Sequence, residues 1–154
     1  MKGEDILLGS FRGLPKPYTG DKPTDFIIDA LYGDANPSYR GEIAPENPER
    51  TWCDAILSGL PLTPEDITLS GYELTHSIFY ATDFGRRKKT NPLTQKRLVD
   101  LAKTETNLDL LAEYAVCMLC VGGKPDHFML RAISAVPTDE HHGYVIELFK
   151  ILNG

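Results

Sequence analysis

From Pro48 onward, apolar residues recur every three to four positions in each segment, and no stretch alternates with a period of two. A 3.6-residue repeat puts side chains on one face of a helix, whereas a half-buried strand needs alternation. The chain is therefore expected to be all-α. About seven helices are joined by short loops, so successive helices form antiparallel hairpins in a bundle or a partial α/α array. Its 154 residues suit one helical domain over 1–154, with a loop-rich N-terminal part over 1–48.

Start and stop signals divide this pattern. Pro, Gly, Asn and Asp crowd residues 10–24 and 33–48, which read as turns and loops around a short helix from Asp25 to Tyr32. Asn47-Pro48-Glu49 opens a helix that ends at Ser58-Gly59, and Trp52 is expected to anchor its core side. Thr63-Pro64-Glu65-Asp66 is a second start, for a helix reaching Phe84, with a weak point at Ser70-Gly71 and a stop at Gly85. Further helices are expected over 93–103, from Thr106 or Asn107 to Val121, over 125–135, and from Thr138 to Asn153.

Charge and composition exclude several functions. A net charge of −6 disfavours a nucleic-acid partner, which requires a concentrated basic face. The one basic run, Arg86-Arg87-Lys88-Lys89, follows a helix, where cations complement the negative dipole end and the last carbonyls; an anion site is the alternative. No apolar run approaches the ~20 residues needed to span a bilayer, and the N-terminus lacks the features of a secretory signal. Three cysteines are an odd number, so a reduced cytoplasmic protein without disulfides is expected.

Polar residues occupy telling places on three helices. Over 72–85, Glu73, His76, Tyr80 and Asp83 fall in a stripe roughly 80° wide. Glu73 and His76 have the i, i+3 spacing used in di-iron bundles, but only one such pair exists. Over 107–121, Asp109, Glu113, Cys117 and Cys120 form a similar stripe on a helix otherwise apolar. Over 138–153, His141 lies within the apolar face and His142 at its edge.

If these helices converge, two imidazoles and several carboxylates share one cavity. Three readings stand together: a Zn, Mn or Fe site, an acid–base site, and a buried hydrogen-bond network that fixes helix register. No cofactor is expected, with a metal as the lesser option. Cys117 and Cys120 lie deep in a helix with no second pair for zinc, so they read as core residues. Tyr18, Tyr32 and Tyr39 are ordinary loop tyrosines, with a groove lining as the alternative.

Three short segments carry a family resemblance: Tyr72-Glu-Leu-Thr-His-Ser-Ile-Phe-Tyr-Ala-Thr-Asp-Phe-Gly85, then Asp109-Leu-Leu-Ala-Glu113, then His141-His-Gly-Tyr-Val145. In this order they resemble signatures of an uncharacterised, all-helical bacterial domain family of unknown function. The resemblance covers roughly residues 49–152, and its first segment is the most specific. It implies a short version of a longer helical protein, working in specialised peptide or small-molecule metabolism. It marks Glu73, His76, Tyr80, Asp83, Asp109, Glu113 and His141 or His142 as positions to test, and implies no activity. The family pattern near the C-terminus is Tyr-His followed by small hydroxyl residues. His141-His142-Gly143 departs from it, so the choice between the two histidines stays open.

The resulting expectation is an internal polar cavity. His76 would be a general base or acid, Glu73 or Asp83 would orient it, and Tyr80 would donate a hydrogen bond to substrate. Asp109, Glu113, His141 and His142 would complete a substrate site for a small molecule or peptide. The alternative is a non-catalytic helical module for a peptide or protein partner, including a second copy of the chain. No membrane partner is expected.

Overall fold

The computed structural model describes residues 3–59, 68–137 and 143–154. Its contacts divide the chain into two compact units, residues 1–59 and 60–154. All regular structure among the described residues is helical: eight α-helices and one 3-10 helix. The all-α class is as expected from the periodicity.

The first unit holds α1 (Gly3–Phe11), α2 (Lys22–Leu31), a 3-10 helix (Pro37–Glu42) and α3 (Pro48–Ser58). Local chemistry sets most of the ends. The Asp21 side chain accepts from the Thr24 amide and caps α2, which thus begins three residues before the expected Asp25. Asn47 caps α3 through the Glu49 amide, Pro48 takes the first turn, and Gly59 closes it in the left-handed conformation with φ 56°. Helix α1 was not expected, because its apolar patch is short. It packs against α2, burying Ile6, Leu7 and Leu8. Phe26, Ile28, Leu31, Ile43 and Cys53 form the centre of this unit, and Trp52 packs against it while only partly buried.

The second unit holds α4 (Gly71–Ala81), α5 (Pro92–Ala102), α6 (Leu108–Cys120), α7 (His127–Ala135) and α8 (Gly143–Asn153). Helix α6 is its axis: α4, α5, α7 and α8 all pack against it, and every residue from Leu110 to Cys120 is buried. An apolar surface around nearly the whole circumference is what a central helix requires. Asn107 caps it through the amides of Asp109 and Leu110. Asn91 and Asp126 cap α5 and α7 in the same way.

The helix expected from Pro64 to Phe84 is corrected at its C-terminal end, and α4 begins at the expected weak point, Ser70-Gly71. Ser70 is extended, with φ −147°, and α4 begins at Gly71; residues 60–67, with the Thr63 start signal, lie outside the described residues. At the other end α4 stops at Ala81. Asp83 and Phe84 take left-handed φ of 47° and 53°, and Gly85 follows with φ 92°. Among the described residues no helix is long and apolar enough to cross a membrane.

Candidate functional site

Helix α4 presents three rings at i, i+4 and i+8: Tyr72, His76 and Tyr80. The His76 ring centroid lies 6.1 Å from that of Tyr72 and 6.0 Å from that of Tyr80. This row faces α6, where Asp109 and Glu113 stand one turn apart. The Tyr72 hydroxyl donates to Asp109 Oδ2 at 2.7 Å and accepts from the Asn107 side-chain amide at 3.3 Å. Two pairs of residues therefore meet across the helix–helix contact.

The second pair is chemically unusual. Glu113 is 3% exposed, whereas His76 is 47% exposed, and His76 Nε2 lies 3.8 Å from Glu113 Oε1. Among the described residues the Glu113 carboxyl receives one hydrogen bond, a 3.4 Å contact from the Thr75 hydroxyl. A carboxylate so placed lacks the hydration that stabilises its charge. Burial, reinforced by the negative charge of Asp109, pushes the Glu113 carboxyl up to about 8. Burial also lowers the His76 imidazole below its ordinary value. At neutral pH a carboxylic acid thus lies beside an uncharged imidazole. Burial, then the negative charge of Glu113, raises the Tyr80 phenol, and burial with the Asp109 bond raises that of Tyr72 to about 12.

His76, Tyr80, Asp109 and Glu113 come together here. Glu73 is on the same helix but exposed to solvent, so α4 turns the expected stripe partly outward. Asp83 belongs to another structure. The end of α4 removes it from the stripe, and its buried carboxylate is held by Arg86 at 2.9 Å and Arg87 at 3.7 Å. The front of the basic run thus pairs with Asp83. His141 and His142 lie outside the described residues. Tyr72 and Thr75 belong to the site but not to the expected set; the i, i+4, i+8 spacing of Tyr72, His76 and Tyr80 was the signal for the first.

The remaining signature residues build the turn. The Thr82 hydroxyl donates to Ile78 O at 2.7 Å and accepts from the Gly85 amide at 3.2 Å. Phe84 stacks on Phe79 with centroids 5.4 Å apart. A Cβ at Gly85 would lie 2.7 Å from Leu152 Cδ1.

A family of domains of unknown function, DUF6895, matches residues 40–139. The chain belongs to the DUF6895 family. That match agrees with the resemblance in the 72–85 and 109–113 segments, and every residue of the α4–α6 site lies inside it. No curated protein and no solved structure matches the chain.

Cys53, Cys117 and Cys120 are buried thiols outside any disulfide, and Cys117 Sγ donates to Thr75 O at 3.7 Å. Burial raises all three thiols, so they behave as core groups. Among the described residues no three His, Cys, Asp or Glu side chains are grouped to hold a metal ion. In the second unit an open groove of about 340 Å³ runs between the start of α6 and α7, lined by Leu108, Leu111, Phe128 and Ala135 with Glu105 and Arg131. In the first unit an open groove of about 450 Å³ lies beside Pro23, Ile27, Ile43 and Pro45, and Tyr18, Tyr32 and Tyr39 do not line it.

Proposed function

We propose that the α4–α6 face is an acid–base site acting on a small molecule or peptide. The observation that carries this reading is the apposition of half-exposed His76 with buried Glu113, 3.8 Å apart, where burial favours the uncharged form of both. Each is then in the form that its task needs. An uncharged imidazole accepts a proton, and a carboxyl titrating near the working pH is able to give one up or take one back. Tyr80 donates a hydrogen bond to substrate, and Tyr72, fixed by Asp109, closes the other end of the row. Glu113, in place of Glu73 or Asp83, is the carboxyl group that stands beside His76.

The test is turnover. The purified protein is incubated with a bacterial small-molecule and peptide extract, and consumption is followed by mass spectrometry. His76→Ala and Glu113→Gln should each slow consumption at least ~100-fold while leaving the circular dichroism spectrum unchanged. A substrate consumed equally by all three proteins, or no substrate at all, removes the catalytic reading.

One observation favours a second reading, a helical interaction module. Leu108, Leu111 and Phe128 line the groove beside α7 together with Glu105 and Arg131, and Leu108 and Phe128 are exposed. Surface apolar patches of this kind mark protein or peptide contacts. In that case Phe128→Ala should weaken partner binding, and His76→Ala should not.

A further inference from the structure

The Glu113 proton points to the charge that the site lacks. A carboxyl 3% exposed, one turn from Asp109, keeps its proton because burial strips its charge of water and the Asp109 charge repels it, and among the described residues no Lys or Arg is paired with it. Neither α4 nor α6 contains a single Lys or Arg, whereas together they carry Glu73, Asp109 and Glu113. The groups that face Glu113 are Tyr72, Thr75, His76 and Tyr80 from α4, with Asp109 and Cys117 from its own helix. Of these only His76 is able to become a cation, and burial holds it uncharged. The rings add a second feature. Tyr72, His76 and Tyr80 lie in a row with 6 Å steps. Tyr72 and His76 are open to solvent. Aromatic faces beside carboxylates attract an organic ammonium group, through the ring quadrupole as well as the charge.

We propose that this face binds an organic amine with an apolar body, its ammonium group against the Glu113 carboxylate and its body along the Tyr72, His76 and Tyr80 rings. The inference rests on the α4–α6 face being the functional site, and names the chemical class that it takes. The proton balance is simple. Glu113 enters as the carboxylic acid and the amine as its ammonium ion; the complex holds carboxylate and ammonium, and one proton leaves to solvent. Binding is therefore in competition with protons. With Glu113 titrating at about 8, roughly nine in ten molecules carry the proton at pH 7 and one in ten at pH 9. An amine that stays charged over this range should bind about tenfold more tightly at pH 9.

The experiment is titration calorimetry of the full chain with 2-phenylethylamine, using 2-phenylethanol and 3-phenylpropionate as neutral and anionic controls. The amine should bind while both controls bind at least ~10-fold more weakly. Its affinity should rise about tenfold from pH 7 to pH 9, and repeats in buffers of different ionisation enthalpy should show nearly one proton released at pH 7. Glu113→Gln should lose both the pH response and the proton release. Equal binding of the alcohol, an affinity that does not change with pH, or no amine binding at millimolar concentration overturns the proposal. Because the extract assay does not depend on this probe, His76-dependent turnover without amine binding would reject the ligand class and leave the catalytic reading standing. Amine binding without any turnover would do the reverse.

Discussion

Glu113 holds its proton over a pH range in which an ordinary glutamate has lost it, and that difference acts on stability as well as chemistry. The unfolded chain releases this proton near pH 4.5 and the folded chain at about 8. Between those values the folded state binds more protons, so its contribution is fully present below 4.5 and is lost as pH rises through 8. For a group this buried the loss is on the order of a few kcal/mol. His76 works in the opposite sense: its depressed value gives a contribution present above the ordinary histidine range and lost as pH falls. Measured against Glu113→Gln at pH 5, 7 and 9, the wild type should therefore lose melting temperature at each step, because the contribution declines from pH 4.5 up to about 8. Parallel curves for the two proteins would show that the Glu113 proton is not the cause. Glu73 gives a useful contrast. It is exposed, so Glu73→Gln should change the melting temperature by no more than a degree or so, within the roughly ±0.5 kcal/mol of ordinary surface substitutions.

At the scale of elements, the signature segment does two jobs. Its first half lines the site, and its second half ends α4. The turn needs Gly85 for two reasons, φ 92° and the closeness of Leu152. Gly85→Ala should cost roughly 2–4 kcal/mol in denaturant unfolding, since strain and overpacking act together. Asn107→Ala removes the cap of the central helix and should cost about 1 kcal/mol in the same assay. A larger loss for the cap than for the glycine would reverse this order. The cap and stop of α3 and the bounds of α6 were readable in the chain, because Asn-Pro, Asn and Gly act over three or four residues. The end of α4 was not. Its apolar repeat runs on through Phe84, which is buried against Phe79 from a turn rather than from a further helical step. Helix α1 was missed for the opposite reason: its pattern is short, and packing on α2 stabilises it.

At the scale of the whole molecule, contacts gather into two units, each with a core of its own. Leu31 is fully buried in the first and Leu148 in the second. Leu31→Ala should cost about 2–5 kcal/mol and lower amide hydrogen-exchange protection in α2 and α3. Protection of α6 is the informative readout: if it falls equally, the chain opens as one cooperative body, and if it is kept, each core carries its own stability. The 154-residue length suits a single domain, and length constrains total burial rather than how contacts are shared within it.

Helical periodicity and short-range capping chemistry established the class of fold and most helix boundaries, because both act between residues a few positions apart. The same patterns pointed to His76, Tyr80, Asp109 and Glu113 as polar groups on apolar helices. Their partners depend on which faces meet. Packing of α4 on α6 buries Glu113 to 3% exposure, sets it 3.8 Å from His76 and brings Tyr72 to Asp109. It also leaves Glu73 in water, while the turn after Ala81 delivers Asp83 to Arg86. A helical wheel gives the angle of a side chain about its own axis. Burial, proton affinity and partner are properties of the contact between two helices, and the contact exists only once the chain has folded.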